Sequence, residues 1–467
     1  MGTDRRSREQ SAYVTKDLTT GSIPRNLWFL AWPQMVEGAM RVVDWMADLV
    51  WAGHIGYQTL AGLGVAQQYV QMTFTARLGL DTGMRAMVAR AMGMRNIPLA
   101  NLIVFQAAIL TFLVALLFAF IGVFFTEPLL RILNVSDAVI AQGALYMRIQ
   151  FVGQLAVGLQ NLSGNALAAS GDSLTPMKST ILARIVHITL SPILVFGWLG
   201  FPALGLAGAA VANIVAHSLA LAMLLVILFR GTSRIHLKLQ DFRVDWGIMV
   251  RLLKLGGPAA VNQTERALSQ LILVGLVAPF GDYTLAAYTL TRRVEMFSNM
   301  GSQGFGQASG IIAGQNLGAR KPERSRQTVL WAVGYVLFIQ SILGALLLTF
   351  PGNFLSIFNE DPQWLSLAQS WLRILVFGFL TMGVTQVFMQ SFQTAGDTIM
   401  PMVVSLATMW LVQQPLALLL SRSTPLEEFG VAWAVVISMA ARVVIYIPYF
   451  FWGRWLHIRI FSQEQVH

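Results

Sequence analysis

A chain of 467 residues in which 55% are hydrophobic and 12% charged has too little polar side chain to cover a soluble globule of its size, so it reads as a membrane protein. The absence of cysteine excludes a disulfide framework, thiol catalysis and a Cys-ligated metal together. A net charge of +10 would suit a nucleic-acid binder, but the bases sit in short connections between apolar runs, as in membrane proteins.

The stretch before Asn26 is polar and basic (Arg5, Arg6, Arg8, Lys16, Arg25) and lacks a short apolar run of the signal-peptide kind. Twelve apolar segments follow, near 26–52, 59–92, 99–125, 139–170, 176–199, 205–230, 248–280, 284–314, 325–350, 364–394, 400–421 and 430–456. Each is about 20 residues or longer, enough to cross roughly 30 Å of hydrocarbon. The expected organisation is a tail at 1–25, an N-lobe at 26–230, a linker at 231–247, a C-lobe at 248–456 and a second tail at 457–467. Bases gather in the tails, the linker and the even-numbered connections, whereas Glu127, Asp137, Asp282, Glu360, Asp361, Glu427 and Glu428 lie in the odd ones. Both termini are therefore expected on the cytoplasmic side of the plasma (inner) membrane.

Ionisable groups inside membrane helices are costly unless paired or wet, and each is a functional candidate by default. Helix 1 carries Glu37, Arg41, Asp44 and Asp48 at spacings of 4, 3 and 4, one face over about 16 Å of rise. Glu37, Arg41 and Asp44 read equally well as a self-satisfied chain of ion pairs or as part of a site. Asp48 lies two turns beyond the last arginine and is the better candidate for a carboxylate that takes up and releases a proton.

Helix 4 places Gln154, Asn161 and Asn165 on a shared face and is followed by Gly171 and Asp172. Helix 5 has Arg184, His187 and Ser191 on one face, where His187 reads as a packing residue or as a proton carrier, and helix 6 adds Asn213 and His217. Polar groups like these also knit membrane helices together through interhelical hydrogen bonds. Helix 7 has Asn262, Glu265, Arg266 and Ser269, with Glu265 and Arg266 pointing in different directions. Helix 8 has Arg292, Arg293, Glu295, Asn299 and Gln303, and helix 10 has Gln386, Gln390 and Gln393.

The chain repeats itself at one constant spacing. Pro33 recurs as Pro258, Arg41 as Arg266, Gly79 as Gly304, Arg95 as Arg320, Asn134 as Asn359, Asp172 as Asp397 and Gly205 as Gly430. Matches in one register without net insertion mean two copies of one unit. Six helices per copy give both copies the same orientation, with a symmetry axis along the membrane normal, the build of a secondary transporter. The second copy has Leu273 at the Asp48 position, which places the ion-coupling work in the first.

The stretch Pro33 to Gly53, ending Asp48-Leu-Val-Trp-Ala-Gly53, resembles helix 1 of the multidrug and toxic compound extrusion (MATE) transporters, in which a proline precedes an aspartate by fifteen positions. Gly314-Gln-Asn-Leu-Gly-Ala-Arg320, Ser170-Gly-Asp-Ser-Leu-Thr-Pro176 and Ala395-Gly-Asp-Thr-Ile-Met-Pro401 are similar to that family's connections, and the resemblance covers about residues 24 to 456. It implies an all-α polytopic membrane protein of two pseudo-symmetric six-helix lobes around a central cleft, not an enzyme. The implied activity is export of amphipathic or cationic organic compounds in exchange for protons or sodium, with small molecules and membrane lipids as partners, no nucleic acid, no cofactor, and a monomeric state.

By position, Asp48 takes the role of the family's coupling carboxylate. Asp44, His187 and Ser191 join it as coupling-site candidates; Glu37, Arg41, Gln154, Asn161, Asn165, Arg184, Asn213, Glu265, Arg266 and Glu295 are substrate or cleft candidates. Members with an N-lobe ion site often have Asp and Asn where this chain has Ser191 and His187, and members relying on a helix 7 Glu place it where this chain has Arg266. The missing helix 5 Asp weakens a sodium site, which wants several oxygen ligands, and favours protons. A lipid-linked precursor flippase of the same superfamily is the alternative, kept open by the intramembrane arginines.

Overall fold

The computed structural model describes residues 16–132, 136–238, 240, 242–356 and 361–461. Among them there is no strand, and the twelve expected segments are all helical. They are α1 (Ile23–Ile55), α2 (Tyr57–Gly93), α3 (Ile97–Phe124), α4 in two pieces (Asp137–Val152 and Gln154–Ser170), α5 (Leu174–Phe196) and α6 (Leu206–Arg230). The second set is α7 (Trp246–Val277), α8 (Asp282–Gly318), α9 (Pro322–Thr349), α10 (Pro362–Ala395), α11 (Ile399–Leu406 continuing to Ser423) and α12 (Glu428–Trp452). Seven of these (α3, α5, α6, α9, α10, α11 and α12) are long and apolar enough to cross a membrane by length and composition alone. Of the other five, α4 is split into pieces of 16 and 17 residues, and α1, α2, α7 and α8 carry much of the interior charge and amide, which lowers their hydropathy. Outward-facing Leu116, Phe124, Val444 and Trp452 are exposed, as on helices that meet lipid rather than water.

The register of the repeat appears in backbone detail. Short helices Thr126–Arg131 and Pro351–Leu355 follow α3 and α9. Gly171 and Gly396 cap their helices in the left-handed region at φ 110° and 100°. The carboxylates that follow accept from the chain three residues on, Thr175 N to Asp172 and Met400 N to Asp397. The Asn134 and Asn359 match lies outside the described residues.

Two elements depart from plain helix. The expected segment at 139–170 breaks at Gly153, where a Cβ would stand 2.2 Å from Cδ1 of Ile214 on α6. Glycine leaves room for Ile214 there, and a larger residue would make the isoleucine turn aside. In α11 the stretch Ala407–Gln413 is a π-helical turn ahead of Pro415, whose missing N–H and ring disrupt the regular bonding of the preceding turn.

Packing divides the chain into two compact units whose borders fall inside α1 and α7. One contains Val36–Gly256 and, among the described residues, Lys16 and Asp17; the other contains Leu18–Met35 and the chain from Gly257 onward. Close backbone approaches explain this. A Cβ on Gly256 would lie 2.7 Å from the Gly79 carbonyl oxygen, so the start of α7 packs on α2 in the first unit. At the equivalent positions a Cβ on Gly304 would lie 3.0 Å from the Ala31 carbonyl, so the start of α1 packs on α8 in the second. The linker also belongs to the first unit, because Asn101 and Gln106 of α3 donate to the carbonyls of His236 and Arg243 at 2.7 and 2.6 Å. Lys321 and Arg324 hold the carbonyls of Thr19 and Thr20 in the second.

Candidate functional site

In the first unit α1, α2, α4 and α6 enclose a cavity of about 450 Å³ whose lining includes Asp48, Gln67, Arg77, Tyr146, Gln154, Asn213 and His217. Asp48 is 6% exposed. Its Oδ1 stands 3.3 Å from Nε2 of His187 on α5, and its Oδ2 accepts from the Tyr146 hydroxyl at 3.4 Å. Tyr146 in turn accepts from Gln150 at 3.3 Å. The sequence leaves Asp48 without a local cation; the fold supplies a ring nitrogen from a helix far along the chain, so only one proton is needed to join the two groups by a hydrogen bond. Ser191, one turn further along α5, is fully buried, and its hydroxyl meets no hydrogen-bond partner among the described residues.

The rest of the helix 1 face divides. Glu37 reaches Arg41 at 3.9 Å, with the Arg41 side chain 48% exposed, so this pair is a weak one. The Asp44 side chain lies outside the described residues.

His217 has a different environment from His187. Its Nδ1 is 2.9 Å from Oε1 of Gln160, and its Nε2 is 3.1 Å from a guanidinium nitrogen of Arg184. An amide oxygen on one side and a cation on the other leave one tautomer: Nδ1 donates, Nε2 accepts, and the ring is neutral. Gln160 continues the chain to Ser179, which donates to the Ala220 carbonyl. Arg184 thus serves a structural network linking α4, α5 and α6. Asn161 donates to its own helix at Val157, Asn165 is part-buried, and Gln154 and Asn213 face the cavity.

Sequence reasoning misses Arg77, Asp81 and Arg85 in α2. Arg77 and Asp81 pair at 3.8 Å with both side chains buried. Their spacing of four is a visible signal of the same kind as the helix 1 stripe. Tyr146 and Gln150 carry none, since neither is charged.

The second unit holds a tighter cavity of about 50 Å³ between α7, α8, α10, α11 and α12, lined in part by Asn262, Arg266, Arg292, Glu295, Gln386 and Arg442. Glu295 is buried; it hydrogen-bonds Arg292 and stands 4.0 Å from Arg266. Glu265 turns away from this cavity and accepts from Ser405 at 3.1 Å. Among the described residues no group of three or more His, Asp and Glu side chains is arranged to hold a metal ion.

The MatE family model matches residues 33–193 and 258–419, once in each repeat. The probable multidrug resistance protein YoeA of Bacillus subtilis is 27% identical over 450 residues, 94% of this chain and 96% of its own. A FAD transporter of Shewanella oneidensis is 25% identical over 406 residues, 86% and 89% of the two chains. Among solved structures, a MATE transporter crystallised in complex with MaL6 shares the fold with a TM-score of 0.86 at 21% identity, covering 94% of this chain and 97% of that one.

Proposed function

The chain belongs to the MATE family, whose members are membrane transporters and not enzymes, and from that premise we propose that it is a secondary antiporter exporting amphipathic organic compounds, cations among them, in exchange for protons that bind at Asp48. The names of its multidrug-resistance relatives support the cargo class. The observation that carries the coupling step is the buried Asp48 carboxylate 3.3 Å from His187 Nε2 on the wall of a cavity.

The geometry gives the proton a mechanical consequence. With one proton between them, Asp48 and His187 are joined either as acid and imidazole or as carboxylate and imidazolium, and α1 is tied to α5. A second proton leaves the neutral acid's carbonyl oxygen to accept from the imidazolium N–H, so the tie loses the opposite charge that strengthened it and is weakened. Proton uptake from outside and release inside then favour different arrangements of the same lobe, which is what alternating access requires. Sodium fits less well, because one Asp48 oxygen already faces a nitrogen and the position before Pro192 is a serine. Both termini are cytoplasmic in this reading, in the plasma membrane, and a monomer suffices.

The test is dye or organic-cation uptake by proteoliposomes under an imposed pH gradient, against a sodium gradient with the pH gradient collapsed. The pH gradient alone should drive transport, and Asp48→Asn should reduce it to the level of protein-free vesicles. Equal transport on sodium alone would overturn the proton assignment.

A further inference from the structure

The cavity of the second unit takes no part in the proton step, and its lining is the more cationic, with Arg266, Arg292 and Arg442 against Glu295 where the first has Arg77 against Asp48. Positions 37, 41, 44, 48, 67, 184 and 217 of the first repeat correspond to 262, 266, 269, 273, 292, 409 and 442 of the second. The first set contains three carboxylates (Glu37, Asp44, Asp48) and two guanidiniums (Arg41, Arg184). The second contains no carboxylate and three guanidiniums: Arg266, Arg292 and Arg442.

Three guanidiniums inside membrane-spanning helices need compensating charge. The second unit supplies Glu295 and Glu265, at positions where the first repeat has Val70 and Met40. Glu295 serves Arg292 directly and Arg266 at longer range. Arg442 receives one hydrogen bond's worth of compensation from a neutral group, its Nε donating to the Thr408 hydroxyl at 2.8 Å. Glu265 acts on it electrostatically but is hydrogen-bonded to Ser405 instead. One positive charge is therefore left over, on the cavity wall. Gln386, 8% exposed, lines the same cavity.

A space of about 50 Å³ is too small for a drug-sized molecule but takes an oxyanion group in place of a water or two. Four methionines (Met382, Met389, Met409 and Met439) line it as well, an apolar surface that adapts to varied shapes. We infer that this cavity binds the oxyanion head, a carboxylate or phosphate, of an amphipathic cargo, with Arg442 and Gln386 as its donors. The inference rests on the transporter reading and names a cargo class which that reading leaves open.

Fluorescein, an amphipathic carboxylate, and ethidium, a planar cation, serve as probes of the full-length protein. Equilibrium binding is read by fluorescence anisotropy in neutral detergent, and transport in phosphatidylcholine proteoliposomes. Arg442→Gln should lower the fluorescein affinity about tenfold or more, the loss expected for a charge-assisted bond to a desolvated anion. The fluorescein-to-ethidium ratio should fall in both assays, and Arg442→Lys should restore most of it. Gln386→Leu, which removes the other donor, is the second variant if Arg442→Gln is not monodisperse, and the same shift in ratio is expected of it. Equal loss for both dyes, or no loss of fluorescein affinity in either variant, overturns the proposal. Displacement of fluorescein by phosphatidylglycerol, with no fluorescein transport by the unmodified protein, overturns it in favour of a lipid head-group site. Failure of the proton reading is seen separately: Asp48→Asn should leave equilibrium fluorescein binding intact, and persisting gradient-driven transport in that variant would sink the coupling assignment alone.

Discussion

Asp48 in the first repeat and Leu273 in the second stand at the same place on the same helix, one paired to an imidazole on a cavity wall, the other part of an apolar cluster with Trp371 and Val435. Around them the backbone agrees to the level of left-handed caps, and the interior side chains differ in their balance of charge. The lesson is that the repeat retains what the backbone demands, glycines at close approaches and caps at helix ends, and leaves the inward faces free to diverge. Two sites of different chemistry on one scaffold are what a coupled transporter needs.

Exchanging the two residues tests the division most severely. Leu273→Asp replaces a packed leucine, 1% exposed, by a smaller carboxylate on the wall of the cavity that holds Arg266, Arg292 and Arg442, and should destabilise the protein by about 2–3 kcal/mol through lost apolar packing, less than an uncompensated buried charge would. Asp48→Leu removes a charge and a long hydrogen bond, and should change stability by only about 1 kcal/mol while abolishing gradient-driven transport. Thermal unfolding in detergent reads the first and proteoliposome transport the second. A Leu273→Asp protein as stable as the parent would mean that the second unit accommodates a carboxylate here, and the contrast would fail.

The borders inside α1 and α7 give the next largest effect. In Gly256→Ala the new methyl meets backbone, the Gly79 carbonyl at 2.7 Å, which cannot yield without moving a helix. In Gly304→Ala the new methyl meets Met35 Cγ at 2.5 Å and backbone only at 3.0 Å, the Ala31 carbonyl, so the side chain takes up more of the strain. We expect losses of about 2–3 kcal/mol for the first and about 1 kcal/mol for the second. Equal losses would show that the two approaches are equally rigid.

Much of this is legible in the chain, and the reasons for the rest are physical. Glycine, proline and cap positions follow from local backbone needs, so the twelve segments and their repetition can be read directly. The stripe ending at Asp48 is visible because helical spacing is local. His187 lies four helices further along the chain, and no spacing rule states that α5 turns its imidazole toward α1. The Arg184 to His217 to Gln160 chain is likewise a three-helix arrangement. Arg77 and Asp81 are legible but easily passed over, hidden in a segment that reads first as apolar. The break at Gly153 depends on Ile214 of another helix, and the unit borders depend on which glycines meet which carbonyls; neither is written in one segment.

The smallest effect tests the part of the comparison where the repeats agree. Arg95 and its repeat counterpart Arg320 both have φ 59°, a left-handed conformation that side chains other than glycine adopt at a cost. Each ends its helix in the same way. Asn96 N bonds the Ala91 carbonyl at 3.0 Å, Lys321 N bonds the Asn316 carbonyl at 2.8 Å, and the arginine occupies the position where glycine is preferred. Arginine to glycine at either site relieves about 1 kcal/mol of backbone strain and gives back part of it through the greater freedom of the unfolded chain. Arg95 also loses its exposed ion pair with Asp17, a contribution of about 0.5 kcal/mol or less. Arg320→Gly should therefore stabilise by about 0.5 kcal/mol and Arg95→Gly by less, both read as small rises in unfolding temperature. Opposite signs at the two sites would mean that even these turns have taken on separate roles, and that the shared backbone is less uniform than its dihedral angles indicate.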